Sequence, residues 1–271
     1  MTIKVALIGN PNVGKSVVFN NLTGLKQHTG NWPGKTVEVK KGYFQFENHD
    51  FEVIDLPGVY SLSALSEDEQ VAREYLIDHR PDVVVDVLNA SQLERNLYLT
   101  LQLIELQVNL VVVLNMYDLI QSRGDTIDIE RLSELLGAPI VVTTATRKEG
   151  MEDIRRAVLD SVPDHTHRLE DGEDIPAEHL PGDINGRDHL HYHPRNHHHG
   201  EFEKLRPPSI KYKQEIEGKL KEIVHVLEAR KDLLDRYPPR WLALKIFEGD
   251  EEVLKIIDSP EMRKRIQEVI G

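Results

Sequence analysis

Apolar positions follow two alternating patterns through the first part of the chain, residues 1–163. Short apolar runs that indicate strands occupy residues 3–8, 51–55, 83–88, 110–114 and 140–143, and residues 37–46 partly alternate between apolar and polar positions. Between these runs, apolar side chains recur at helical spacing in residues 14–22, 93–104, 129–135 and 151–159. Runs that are apolar throughout are typical of strands buried on both faces. We therefore predict an α/β fold, a mostly parallel sheet with helices on both faces and an antiparallel hairpin over residues 37–55.

The pattern changes after residue 163. Residues 164–208 contain nine of the thirteen histidines and few large apolar residues, which predicts a loop or loosely ordered insertion. Helical spacing returns in residues 209–271, where one helix is expected to start at Pro238-Pro239 and shorter helices at residues 253–257 and 262–270. The C-terminal part is thus predicted to be a smaller all-α domain, with part of 164–208 attached to it.

Charge and composition narrow the classes of partner. The 271 residues include 46 acidic and 33 basic side chains, a net charge of −13. This negative balance disfavours nonspecific binding to nucleic acid or to an anionic membrane surface, so no nucleic-acid partner is expected. The chain has no cysteine, which excludes disulfides, thiolate metal sites and a cysteine nucleophile. The sequence contains no run of about 18 apolar residues, so no membrane-spanning helix is predicted. The N-terminus lacks the layout of a signal peptide.

The first chemical motif follows the first predicted strand and opens the first predicted helix. Residues 9–16 match G-x-x-x-x-G-K-S, in which glycines let backbone N–H groups approach phosphate at the positive end of a helix. Lys15 is expected to neutralise the β- and γ-phosphates and Ser16 to bind Mg²⁺. The nucleotide-binding residues predicted here are Gly9, Asn10, Pro11, Asn12, Val13, Gly14, Lys15, Ser16 and Val17.

Two further elements complete the expected phosphate and metal site. Asp55 begins the sequence Asp-Leu-Pro-Gly at the end of a strand, where its carboxylate can hold Mg²⁺ through water. The backbone N–H of Gly58 can contact the γ-phosphate. Thr36 lies between the two motifs, where a mobile segment could bring its hydroxyl to Mg²⁺.

The base is predicted from residues 115–118, Asn-Met-Tyr-Asp, at the end of another strand. Guanine presents adjacent N1–H and N2–H₂ donors, and the single carboxylate of Asp118 can accept from both. Adenine has an acceptor at N1 and would leave that carboxylate without a partner. The order of the motifs therefore favours GTP or GDP as the ligand of a P-loop GTPase fold, with Asn115 and Met116 beside the base.

These residues resemble the cytosolic N-terminal region of the FeoB family of ferrous iron transport proteins. The resemblance rests on residues 9–16, 31–38, 55–62, 94–99 and 115–118, with residues 240–245 and 248–250 near the C-terminus. It implies a GTP-hydrolysing domain at the cytoplasmic face of the inner membrane, soluble as a fragment. In the full-length protein a membrane permease part would follow. The oligomeric state stays open, a homo-oligomer included.

The resemblance also assigns finer roles. Thr144 and Ala145 would form the last guanine-contacting loop, and Met116 replaces the lysine common in GTPases, which implies faster nucleotide exchange. The helical end is similar to a region likened to a nucleotide-dissociation inhibitor.

Catalysis is expected to rest on Asn12, Lys15, Thr36 and Gly58. The residue after Gly58 is Val59, which cannot orient water as the usual glutamine does. In related GTPases an asparagine at the position of Asn12 helps to bind K⁺, so K⁺-stimulated hydrolysis is expected. Residues 26–38 and 55–70 are the predicted switches, ordered by the γ-phosphate.

Two alternative functions and the role of the histidines remain open at this point. A ribosome- or RNA-associated GTPase would require a basic accessory domain, and a nucleotide-gated interaction module would make hydrolysis incidental. The histidines at 189, 191, 193 and 197–199 are candidate ligands of a transition metal. Nearby proline and glycine disfavour a helix that would align these side chains. A solvated loop is therefore the favoured interpretation.

Overall fold

The computed structural model describes residues 2–24, 27–162 and 210–271. Seven strands lie in the first 142 residues: β1 (Thr2–Gly9), β2 (Gln27–Asn31), β3 (Glu38–Phe46), β4 (His49–Asp55), β5 (Val83–Asn89), β6 (Leu110–Asn115) and β7 (Ile140–Val142). The helices among them are α1 (Lys15–Thr23), α2 (Glu67–Asp78), α3 (Leu93–Glu105), α4 (Tyr117–Arg123), α5 (Ile129–Leu136) and α6 (Met151–Asp160). The helical unit that follows contains α7 (Gln214–Leu227), α8 (Lys231–Arg236), α9 (Pro239–Phe247), α10 (Glu251–Ile256) and α11 (Pro260–Ile270).

The strands form one mixed sheet in the order β2-β3-β4-β1-β5-β6-β7. β1 pairs in parallel with both β4 and β5, and β6 lies parallel to β5 and β7. β2, β3 and β4 are joined by antiparallel pairing. The carboxyl ends of β1, β4, β5, β6 and β7 therefore meet at one edge, where α/β proteins bind their ligands.

Apolar side chains cover the sheet on both faces in two separate clusters. One lies between the sheet and helices α1 and α6, and it joins β1 and β5 residues such as Val5 and Val85 to Val18, Phe19 and Ile154 on the two helices. The other lies under α2 and α3 and continues without a break into the helical unit, where Leu220 and Trp241 are buried. Because the helical unit shares this apolar core, its position is held by burial of side chains on α2 and α3.

Local signals explain where several helices begin. Ser66 caps α2 by accepting a hydrogen bond from the Glu69 N–H, and Glu67, Asp68 and Glu69 place negative charge at its positive end. Pro239 occupies the first turn of α9, as the Pro-Pro pair predicts. Among the described helices, none combines the length and apolar character needed to cross a membrane.

Most predicted elements are confirmed, with several corrections. The helix predicted to begin at Gly14 begins at Lys15, because Gly14 has a φ of 86° and acts as its N-cap. The predicted first switch, 26–38, contains edge strand β2, and the second, 55–70, contains the start of α2. The alternation of apolar positions did not reveal β2 because four of its five residues are exposed. The last strand ends at Val142, and the two final helices are α10 and α11.

Candidate nucleotide-binding site

The phosphate loop runs from the end of β1 to the start of α1 and requires glycine at two points. A Cβ on Gly9 would lie 2.3 Å from the carbonyl oxygen of Val87 on the neighbouring strand β5. A Cβ on Gly14 would lie 2.3 Å from the Asn115 Nδ2 atom. Packing against β5 and against the loop after β6 thus requires the motif glycines independently of the predicted approach to phosphate.

Two predicted ligand-binding side chains meet at the carboxyl ends of β1 and β4. The Lys15 ammonium forms an ion pair with the Asp55 carboxylate and also donates to the backbone carbonyl of Leu56. Their side chains are only 11% and 6% exposed. These two groups fit the predicted ligands, because a lysine ammonium binds phosphate and an aspartate carboxylate binds Mg²⁺.

The segment after Asp55 lies directly on the phosphate loop. The Val59 N–H donates to the Gly9 carbonyl over 3.1 Å, and the position of a Cβ on Gly58 would be 3.3 Å from the Pro11 Cα. Val59 itself is 3% exposed and belongs to the apolar core. Its buried side chain cannot contribute to the polar site, in agreement with the expectation from sequence.

Asn115 joins three loops from inside the protein. Its Nδ2 donates to the Val13 carbonyl over 2.8 Å, while its Oδ1 accepts from Thr143 Oγ1 over 3.1 Å and from the Ala145 N–H over 3.0 Å. Asn115 is 3% exposed, so these bonds are shielded from water. The side chain predicted beside the base therefore braces the phosphate loop against the predicted base loop, a role that the linear motif does not reveal.

The predicted base-recognition residues lie next to this brace. Met116 has a left-handed φ of 59° and caps α4, which places Asp118 in the first turn of that helix. The Asp118 carboxylate is 28% exposed, and Arg147 Nη2 lies 3.7 Å from it. Thr144 and Ala145 follow β7, and Asn21 on α1 donates to the Ala145 carbonyl over 2.7 Å. Asp118 is thus positioned at the same edge as Lys15 and remains accessible.

Other predicted residues differ in their surroundings. Asn12 is exposed with a φ of 65°, and Ser16 is exposed at the start of α1. Asn10 is 4% exposed, and within the described residues neither polar atom of its side chain is hydrogen-bonded. Thr36 is exposed and donates from Oγ1 to Glu67 Oε2 over 2.9 Å. The structure does not join Thr36 to Ser16 or Asp55 by any hydrogen bond among the described residues.

A buried carboxylate lies on the central strand behind the site. Asp86 on β5 is 1% exposed and accepts a hydrogen bond from Thr100 Oγ1 on α3 over 2.7 Å. Burial raises the pKa of Asp86 to about 7, while the bond from Thr100 partly opposes this. The sequence marks this residue only as one acidic position inside an otherwise apolar run.

Polar side chains also connect α3 to the helical unit. Glu105, at the end of α3, lies 3.6 Å from Arg240 Nε, and Arg240 pairs with Glu217 over 2.7 Å. Burial raises the pKa of Glu105, whereas the Arg240 side chain holds the pKa of Glu217 near 2. The sequence identifies Arg240 only as part of a family-like segment and does not predict its pairing with Glu105 and Glu217.

The predicted histidine cluster lies outside the described residues. Within residues 2–24, 27–162 and 210–271, no group of three or more histidine, aspartate or glutamate side chains is arranged to hold a metal ion.

Comparison with known proteins decides the family. The family model for ferrous iron transport protein B matches residues 3–158, and the model for the FeoB cytosolic helical domain matches residues 212–271. The chain belongs to the FeoB family.

The FeoB transporter of Salmonella typhimurium is 46% identical over 160 residues, covering 58% of this chain and 21% of that protein. An Fe²⁺ transport protein A/FeoB fusion of Porphyromonas gingivalis is 35% identical over 256 residues, covering 94% of the chain and 26% of that protein. The chain thus spans about a quarter of the length of these FeoB relatives.

Solved FeoB structures share the architecture of both parts. A mutant of the S. thermophilus NFeoB bound to GDP superimposes with a TM-score of 0.77 at 35% identity, covering 99% of this chain and 87% of that one. The apo cytosolic domain of T. maritima FeoB gives a TM-score of 0.74 at 31% identity, covering 100% of this chain and 96% of that one. The chain is therefore a FeoB cytosolic region: a G domain with a P-loop GTPase-like fold, followed by a helical domain.

Proposed function

We propose that this chain binds GTP with Mg²⁺ and hydrolyses it to GDP and phosphate, as the nucleotide-dependent part of a ferrous iron transporter. The observation that carries the proposal is the meeting of Lys15, Asp55 and Asp118 at one edge of the sheet, although they lie on separate motifs. A cation for phosphate, a carboxylate for a divalent metal and an accessible carboxylate for guanine are the three groups that GTP with Mg²⁺ requires. GDP in the S. thermophilus relative supports the same ligand class.

Each residue has a distinct proposed task. Lys15 and the N–H groups of the phosphate loop bind the β- and γ-phosphates, and Gly58 donates its N–H to the γ-phosphate. Ser16, Thr36 and Asp55 hold Mg²⁺, which supplies charge neutralisation when bound. Asp118 accepts from the guanine base. The Ala145 N–H is proposed to donate to guanine O6, which requires it to turn away from Asn115 Oδ1, its acceptor in the structure.

Potassium is the proposed activator, and Asn12 the residue that binds it. Val59 is buried and apolar, so charge developing in the transition state requires another source of stabilisation. Asn12 is exposed on the phosphate loop, where its side-chain oxygen is free to bind a monovalent cation. Equal GTP turnover in KCl and NaCl, or full K⁺ stimulation retained in Asn12→Asp, would overturn this part of the proposal.

A binding experiment tests the nucleotide class. Calorimetry with Mg²⁺ should show binding of GTP and GDP and none of ATP at the same concentration. Asp118→Ala should weaken GTP binding by at least tenfold, since its two hydrogen bonds are lost. Asp125→Ala is the matched control, because Asp125 is an exposed aspartate just after α4 and should leave the affinity unchanged. Equal binding of GTP and ATP would reject the assignment.

The wider role is proposed from the family. Residues 1–163 are the proposed GTPase domain, 164–208 an insertion and 209–271 the helical domain, at the cytoplasmic face of the membrane beside a permease part of the same full-length protein. Transport of Fe²⁺ by a longer version of the protein, lost in a Lys15→Ala variant, is the measurement that tests this role. Sedimentation with and without nucleotide tests for a homo-oligomer.

A further inference from the structure

The segment that carries Thr36 is fastened along one side of α2. We call residues 32–36 the Thr36 segment. At its start, the Trp32 ring packs edge-to-face against Tyr75, with centroids 5.9 Å apart, and lies 5.5 Å from the His79 ring. At its end, Lys35 Nζ lies 2.9 Å from Glu74 Oε1. These contacts hold the segment at several points of the same helix.

Glu67 supplies the last fastening, at the start of α2. Its Oε2 accepts a hydrogen bond from Thr36 Oγ1 over 2.9 Å. Glu67, Gln70 and Glu74 are spaced by three and four residues, so they share one helix face, and all three contact the Thr36 segment. The segment therefore has a defined docked position in which the Thr36 hydroxyl belongs to Glu67.

We infer that Glu67 is a positioning residue that holds Thr36 on α2, so that Mg²⁺ must displace it to complete the nucleotide site. The inference rests on the proposed function, in which Thr36 binds the metal beside Ser16 and Asp55. In the docked position the Thr36 hydroxyl is bonded to Glu67 and to neither of those two groups among the described residues. When the Thr36 hydroxyl leaves Glu67, it exchanges its hydrogen bond to the carboxylate for a bond to the metal ion.

The chain offers a matched control for the charge of Glu67. Asp68 is the next acidic residue of the same first turn, and both side chains are exposed. Removing either one takes one negative charge from the positive end of α2. Only Glu67 accepts the Thr36 bond, so a difference between the two variants isolates that bond from the general effect of charge.

Trp32 provides a readout that does not depend on hydrolysis. The chain has two tryptophans, Trp32 in the Thr36 segment and Trp241 in the helical core. Trp241 is 0% exposed and contributes a constant background, whereas release of the segment separates Trp32 from Tyr75 and His79. Tryptophan emission therefore reports whether the segment has left α2.

The experiment is a Mg²⁺ titration of the chain saturated with a non-hydrolysable GTP analogue. In the parent chain, Mg²⁺ should change the Trp32 emission with a defined midpoint concentration. Glu67→Ala should lower that midpoint roughly threefold to tenfold, the effect of losing one competing hydrogen bond. Asp68→Ala should leave it within about twofold of the parent. In a Thr36→Ala background, Glu67→Ala should have no effect on the midpoint.

The outcomes separate this inference from the proposed function. An unchanged midpoint in Glu67→Ala, or an equal shift in Asp68→Ala, would overturn the inference while calorimetry still shows that the analogue binds. A shift that persists in the Thr36→Ala background would overturn it as well, because Glu67 would then act without Thr36. Calorimetry that shows no binding of the analogue would reject the proposed function and the inference together.

Discussion

Arg73 on α2 donates a 2.7 Å hydrogen bond from Nη1 to Oδ2 of Asp250 in the helical unit. Their side chains are 10% and 4% exposed, and the other carboxylate oxygen of Asp250 accepts from the Val253 N–H to cap α10. Helix α2, whose first residues belong to the proposed second switch, is therefore tied to the helical unit by a nearly buried ion pair. Movement of α2 cannot leave the helical unit unaffected unless this pair separates.

We expect two arginine substitutions to lower the free energy of unfolding by different amounts. Arg73→Met leaves the buried Asp250 carboxylate without its cation and should lower the free energy of unfolding by about 3 kcal/mol. Arg236→Met removes an exposed pair with Asp78, where the side chains are 51% and 38% exposed, and should cost less than about 1 kcal/mol. Urea denaturation measures both. Similar losses for the two variants would contradict a special role of the Arg73 pair.

Asp86 predicts an unusual pH dependence of stability. Its pKa is about 7 in the folded chain and near 3.8 when unfolded, so between these values the unfolded state releases a proton that the folded state keeps. Stability from this group is therefore complete below pH 4 and is lost as the pH rises to 7, by about 4 kcal/mol. Asp86→Asn keeps an acceptor for Thr100 and removes the charge.

The measurement is the difference in unfolding free energy between Asp86→Asn and the parent chain from pH 4 to pH 8. The difference should grow in favour of the variant and level off above pH 7. Subtracting the parent's unfolding free energy from that of the variant cancels the contribution of all other carboxylates, because both proteins contain them. Parallel pH profiles would show that Asp86 is already ionised at low pH in the folded chain.

Asn115 predicts a link between stability and nucleotide affinity. Asn115→Ala removes a donor to Val13 and an acceptor for Thr143 and Ala145, which leaves buried polar groups unpaired and should cost about 3 kcal/mol. Thr143→Val removes only one of these bonds and should cost about 1 kcal/mol. Calorimetry should show weaker GTP and GDP binding in Asn115→Ala, since the loops lose their brace. Unchanged affinity with reduced stability would restrict Asn115 to a folding role.

Gly14 predicts a steric conflict that a second substitution relieves. Gly14→Ala introduces a Cβ 2.3 Å from Asn115 Nδ2 at a φ of 86°. Gly124→Ala is the control, because Gly124 has a φ of 74° but its Cβ would meet no atom within 4 Å. The control should cost about 1 kcal/mol from backbone strain, and Gly14→Ala about 2 kcal/mol more. In an Asn115→Ala background the extra cost should shrink, and a constant extra cost would exclude the Asn115 contact as its source.

Periodicity and motif order were sufficient for much of the architecture. Runs such as 83–88 and 110–114 are apolar throughout because both faces of β5 and β6 are buried, so the sequence pattern reflects the burial directly. The phosphate loop and Asp118 were also recognisable, since each chemistry requires particular residue types at short spacing. β2 escaped prediction because an exposed edge strand imposes no apolar pattern on its residues.

By itself, the sequence determined the α/β character of residues 1–163, the helical character of the C-terminal part and the residues expected to meet phosphate, metal and guanine. Only the tertiary structure decided the partners of those residues: Lys15 with Asp55, Asn115 with the loops at Val13 and Ala145, and Thr36 with Glu67. Local patterns record which face of an element is buried. Contacts between residues far apart in the chain depend on how whole elements pack, and no short stretch of sequence specifies that packing.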